Sequence, residues 1–268
     1  MQVDYNRCED QSNTNEVMLT LCETTVIEQG SKRYKNIVSL GHFCSPAIEF
    51  KKINRRRCSL PFDWLITPHL SVVMELINNN FMDFLSEEYM FQHKKYPAYY
   101  RNIKWDIDFY HDFSPFKRFQ SQFQEVSEKY NRRIERFYST IKQPTLFLRY
   151  VTEKDIQYIL DNYELILETL KNYNCQNYIV FVANKEVSYS HRIPSDITMY
   201  FVEKDSNDEV SREFLNANDA LIRYILENVE YATPHNELVG NKHIDFVKKL
   251  YRKIRLKLRI VYRYSKQC

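Results

Sequence analysis

Three short, almost unbroken apolar runs constrain this chain more than any other feature: TLFLRYV (145–151), NYIVFVAN (177–184) and DITMYFVEK (196–204). None shows the polar alternation of a strand with one wet face, so each predicts a strand buried on both sides. Such strands belong to parallel sheets covered by helices. The segments between them supply the helices. EKDIQYILDNYELILETLKNY (153–173) is amphipathic at helical spacing, and NANDALIRYILENVE (216–230) predicts another helix with Asn216 or Asn218 as its cap. Upstream, YKNIVSLG (34–41) predicts a strand. PAIEFKKIN (46–54) then predicts a helix on Ala47, Phe50 and Ile53, with Pro46 suited to its first turn.

The middle of the chain is less regular. PHLSVVMELINNNF (68–81) predicts a helix, and FKRFQSQFQEVSEKYNRRIERFYSTI (116–141) a long one ending before Pro144. RRRCSLPFDWLIT (55–67) reads as a loop with an apolar plug, and the aromatic-rich stretch 82–116 gives no clear element. Strands alternating with helices predict an α/β fold, a three-layer sandwich around a mostly parallel sheet. Residues 1–33 form a polar lead-in, in which VMLTLCETTVI (17–27) suits an edge strand or a short helix. Residues 34–246 form one α/β domain, and 247–268 a basic amphipathic segment.

Composition removes several function classes. The six cysteines lie far apart with no C-x-x-C pair, which is neither a zinc site nor a disulfide scaffold. The N-terminus lacks an apolar core behind a basic start, so a cytoplasmic protein with reduced thiols is expected. No His/Asp/Glu cluster has ligand spacing, so neither metal nor other cofactor is expected. A net charge of +3 is too small to suggest a nucleic-acid partner. No run of 18 apolar residues exists, so no spanning helix is expected.

The stretch NIVSLGHFCSPAIEF (36–50) carries the chemistry. In sheets of this kind, ligands and nucleophiles gather beyond the carboxyl ends of the strands. Cys44 follows such an end, just where a helix begins. Free N–H groups and the helix dipole there favour a thiolate, the nucleophilic form, and those N–H groups can serve as an oxyanion hole. The plain alternative is a small hydrophobe packed between strand and helix. His42, inside the same turn, is either a cleft residue or a solvated turn residue.

Three further motifs follow in order. SLPFDW (59–64) sets Asp63 and Trp64 in a loop, DFYHDF (108–113) places His111 between Asp108 and Asp112, and NRRIERF (131–137) is a basic helical segment. Together with SLGHFC and the strand LFLR, they resemble a bacterial family of unknown biochemistry classed as papain-like cysteine peptidases. The resemblance covers roughly residues 36–150. It implies Cys44 as nucleophile and His111 as base, with Asp63 or Asp108 orienting the imidazole. Arg149 would bind an anionic part of the substrate or a developing oxyanion, and His42 and Trp64 would line the substrate site. A nucleophile after the first parallel strand is also similar to flavodoxin-like and SGNH hydrolases, which use an Asp-x-x-His pair; Asp108 and His111 have that spacing.

From Lys248 onward the chain has nine Lys or Arg residues and no acid. Leu250, Ile254, Leu258 and Val261 share a helical face, which suits an anionic membrane surface at about 1 kcal/mol per basic residue. Alternating Ile254, Leu256, Leu258 and Ile260 suit a strand equally, and a solvated helix docked on the domain is a further option. His235, in TPHNELVGNKHIDF (233–246), could bring a second histidine to the site. Three functions follow. The first is a Cys-His acyl-transfer enzyme acting on a peptide, glycan or small molecule, including a transferase that modifies surface polysaccharide. The second is a non-catalytic α/β module binding an anionic ligand. The third is a scaffold at the inner face of the membrane, anchored through 248–263.

Overall fold

Strand β6 (Thr145–Val151) is the centre of the fold, with all seven of its side chains buried. The computed structural model describes residues 32–205 and 210–232. β1 (Asn36–Ser39) pairs with one side of β6 and β7 (Tyr178–Asn184) with the other, and β8 (Met199–Val202) pairs with β7, all parallel. The order is β1-β6-β7-β8. The apolar runs that suggested a parallel sheet are therefore its strands, and β1 and β6 lie side by side.

Successive side chains of a strand point to opposite faces, and both faces are covered here. Leu146, Leu148 and Tyr150 join Val180, Val182 and Val202 under Phe50 of helix α1 (Ser45–Lys52) and Leu221 and Ile225 of α6 (Asp219–Asn228). Phe147 and Val151 join Ile179, Phe181 and Ala183 in the other core. That core is completed by α2 (Leu70–Asn78), α3 (Phe119–Ile141) and α4 (Glu153–Lys171). A six-residue helix, α5 (Lys185–Ser190), follows β7 directly. Asn218 is the cap of α6, accepting the Leu221 N–H at 2.9 Å.

A second sheet corrects the sequence reading. The stretch 55–67, expected as a loop, contains β2 (Leu65–Ile66), and 82–116, expected without clear elements, contains β3 (Met90–Gln92), β4 (Tyr100–Asn102) and β5 (Ile107–Phe109), while the helix expected over 68–81 is α2. The strands form an antiparallel sheet in the order β2-β5-β4-β3. Strands of two or three residues are too short to show a period of two, so only packing reveals them. Met90, Tyr100, Ile107 and Phe109 turn into the core, while Phe91, Arg101 and Asp108 face outward or lie half-exposed.

The compact unit described here ends at Ala232. Expectations for residues 1–31, for His235 and for the basic segment 247–268 fall outside the described residues. Among the described residues no helix is long and apolar enough to cross a membrane.

Candidate active site

The turn after β1 is held by a buried polar network. Gly41 and His42 both have positive φ, 83° and 75°. Gly41 suits this because a Cβ there would stand 2.5 Å from Thr67 Oγ1. The Gly41 N–H donates to Ser39 Oγ at 3.0 Å and the His42 N–H to Thr67 Oγ1 at 2.8 Å. The Thr67 N–H returns a bond to His42 O at 3.2 Å.

Arg149 locks this turn from beneath. Its side chain is wholly buried and donates to Leu40 O (3.0 Å), Thr67 Oγ1 (2.7 Å), Thr67 O (2.7 Å) and Asp155 Oδ2 (2.8 and 3.1 Å). Asp155, also buried, uses Oδ1 to accept the Leu70 N–H at 2.7 Å. The expectation that Arg149 faces a cleft as an anion binder is therefore corrected. Its side chain lies on the face that α4 covers, and the first turn of that helix brings Asp155 onto it.

Cys44 is the N-cap of α1 and a free, half-buried thiol. Its carbonyl accepts the helix's first bond from the Ile48 N–H at 3.3 Å. Burial pushes the thiol above its ordinary value; the backbone N–H and the Arg212 guanidinium pull the other way without offsetting it. In the resting fold, desolvation thus outweighs the helix-terminus effect expected from sequence. The preceding rings pack on Tyr150, with Phe43 edge-on at 5.0 Å and His42 stacked at 6.1 Å. Tyr150 donates to Asn184 Oδ1 at 2.6 Å and accepts the Ser211 N–H at 2.8 Å, tying the turn to two further loops.

His42 lines a cavity of about 330 Å³ together with Pro68, Thr152, Glu153, Lys154 and Asn184, among others. Burial, with the charges of Arg149 and Lys154, pushes its pKa down to about 3. The imidazole is thus neutral at physiological pH.

The other expected residues sit on the antiparallel side. Asp63 belongs to the single turn Pro61–Trp64, where its Oδ2 accepts the Leu60 N–H at 2.9 Å and the Arg56 guanidinium at 2.8 Å. Burial pushes its pKa up while Arg56 opposes this. Arg56 also lies over the Trp64 ring at 5.3 Å, and His111 meets that ring edge-on at 6.2 Å. Tyr110 flanks His111 at 5.2 Å. Asp108 projects from β5 opposite Arg101, whose Nε is 3.8 Å away, and burial pushes its pKa up. The structure thus joins His111 with Trp64, and Asp63 with Arg56, while Cys44 and His42 belong to the parallel-sheet turn.

Several residues that matter were not singled out from sequence. Asp112 is buried and receives Lys129 Nζ at 2.6 Å and the Tyr130 hydroxyl at 2.8 Å, so the HDF motif grips the helix of the RRIERF motif. Arg136 of that helix donates to Ser59 O at 3.0 Å, at the start of SLPFDW. Arg56, Thr67 and Asp155 are the remaining members. Asp112 was visible in sequence only as an acidic neighbour of His111, 17 residues from Lys129, and nothing in sequence marked Thr67.

Residues 35–186 match the family described as "Putative papain-like cysteine peptidase (DUF1796)". The chain is also 26% identical over 177 residues to "Uncharacterized protein R408" of Acanthamoeba polyphaga mimivirus, covering 55% of this chain and 77% of the relative. That relative is viral, whereas the motif resemblance pointed to bacteria. No solved structure matches the chain.

Proposed function

The chain belongs to the family described as "Putative papain-like cysteine peptidase (DUF1796)", and on that premise we propose that it is a cysteine-nucleophile acyl-transfer enzyme built on a three-layer α/β sandwich. One observation carries the reading: a free, half-buried thiol stands at the N-cap of a helix directly after β1, in a turn fixed by the Arg149 network.

In the proposed reaction Cys44 Sγ attacks an acyl carbonyl carbon. A carbon–sulfur bond forms as the thiol proton passes to His111, and the free N–H groups that open α1 receive the developing oxyanion. His111 then protonates the leaving group, and the thioester is resolved by water or by an acceptor nucleophile. Because burial raises the thiol pKa, the proton leaves as the sulfur attacks rather than being absent at rest. Asp63 Oδ2 already holds Arg56 and the Leu60 N–H, and Asp108 faces Arg101, so whichever of the two orients His111 shares its carboxylate with an arginine. Trp64 and His42 would bound the substrate.

The test is kinetic. With an acyl donor that the wild type turns over, Cys44→Ser and His111→Ala should each abolish turnover, and the double variant should be no worse than either single one. Additive losses, or full activity in Cys44→Ser, would remove the dyad.

A further inference from the structure

Apart from His42, the residues that line the cavity beside the Cys44 turn are ones the proposed acyl transfer does not use. At about 330 Å³ it falls at the small end of ordinary ligand pockets. It opens where the carboxyl ends of β6 and β7 meet the first turn of α4, the place where parallel sheets receive ligands.

The charged residues that line it are two acids, Glu153 and Glu186, and two bases, Lys154 and Lys204, and they differ in their partners. Lys204 is paired with Glu186 at 2.9 Å, and Glu153, largely exposed, lies 3.6 Å from His191. Lys154 also lines the cavity, and among the described residues it has no carboxylate partner. The α4 cap, Thr152, makes no side-chain bond to its own helix, and its Oγ1 is a shielded atom without a partner. The positive end of the helical segment that precedes the non-helical Asn162, with the N–H groups of Glu153 and Lys154, is therefore unengaged by a side-chain cap, while the Asp155 N–H donates to Thr152 O at 2.9 Å. His42 adds a donor. Its Nδ1 is shielded and unpartnered, and a neutral imidazole can carry its N–H on either ring nitrogen.

We propose that this cavity binds a small molecule through an oxyanion head, a carboxylate or a phosphate, received by Lys154, the His42 imidazole and the N–H groups that open α4. The site does not depend on Cys44 as nucleophile.

The full-length chain should be titrated calorimetrically with sodium phosphate and, separately, sodium acetate, with sodium chloride at matched ionic strength as the control. Saturable one-site binding is expected for at least one oxyanion and not for chloride. Tighter phosphate indicates a phosphorylated ligand, tighter acetate a carboxylate. Lys154→Gln should weaken binding about tenfold or more, the scale of one lost charge-assisted hydrogen bond. Lys171→Gln, at the far end of α4, and Cys44→Ser should bind as the wild type does. Failure of both oxyanions to saturate overturns the proposal, as does wild-type affinity in Lys154→Gln.

Discussion

Replacing Asp155 with alanine should cost more stability than any exposed charge change in the molecule. Asp155 and Arg149 are both wholly buried, and the carboxylate accepts three hydrogen bonds, two from Arg149 and one from the Leu70 N–H. Removing it strands a guanidinium and an amide in the core. Breaking a buried pair in this way costs about 3–5 kcal/mol, against a total domain stability of about 5–15 kcal/mol. The double variant Arg149→Met, Asp155→Leu should lose less than the two single losses summed. It leaves the carbonyls of Leu40 and Thr67 and the Leu70 N–H unpaired, at about 1–3 kcal/mol each, but no unpaired charge. Urea unfolding with the slope held constant measures each loss. Asp155→Asn, which keeps an oxygen for Leu70, supplies an intermediate point should the alanine variant be insoluble. A loss of under about 1 kcal/mol in Asp155→Ala, the value of an exposed pair, would refute the reasoning. So would a double variant whose loss equals the sum of the single ones.

Other outcomes follow from the same turn. Gly41→Ala should lose about 1–3 kcal/mol, since it strains a φ of 83° and pushes on Thr67 Oγ1; an unchanged urea midpoint would contradict this. His42 has its pKa held at about 3 in the fold and near 6.5 when unfolded. Its contribution is therefore complete above about pH 6.5 and is lost as pH falls towards 3, at up to about 1.4 kcal/mol per pH unit. His42→Asn tolerates the left-handed backbone and should flatten that slope, so parallel stability curves for the two proteins would count against it. Burial raises the Cys44 thiol, so without substrate its alkylation by iodoacetamide should climb through and above about pH 8.5. A rate already at its plateau at neutral pH would show a resting thiolate instead.

What was legible in the sequence tracks what burial writes into it. β6 and β7 have neighbours on both edges and helices on both faces, so nearly every residue had to be apolar and the runs were plain. The antiparallel sheet left no such mark. Its strands are two or three residues long, and the left-handed Asp83 and Asp106 sit in the connections between its elements. At the candidate site, Gly41 and Pro46 marked the turn and the helix start, and the N-cap of that helix is Cys44. Arg149 was misjudged because its partner lies in the next helix. Only the crossover folding back over β6 brings Asp155 beneath the turn, and a one-dimensional reading sees an arginine near a strand end. The thiol pKa failed for a related reason: a helix terminus was visible in sequence, the burial opposing it was not.

The most direct measurement is covalent. The full-length chain should be incubated with a panel of acyl donors, comprising peptide esters, thioesters and acetylated sugars, then quenched in acid and measured by intact mass spectrometry and peptide mapping. An acyl increment on Cys44, absent from Cys44→Ser and from Cys58, a second free and half-buried cysteine, in the same sample, is the predicted result. Increments that persist in Cys44→Ser, or that fall equally on Cys58, would contradict Cys44 as the nucleophile.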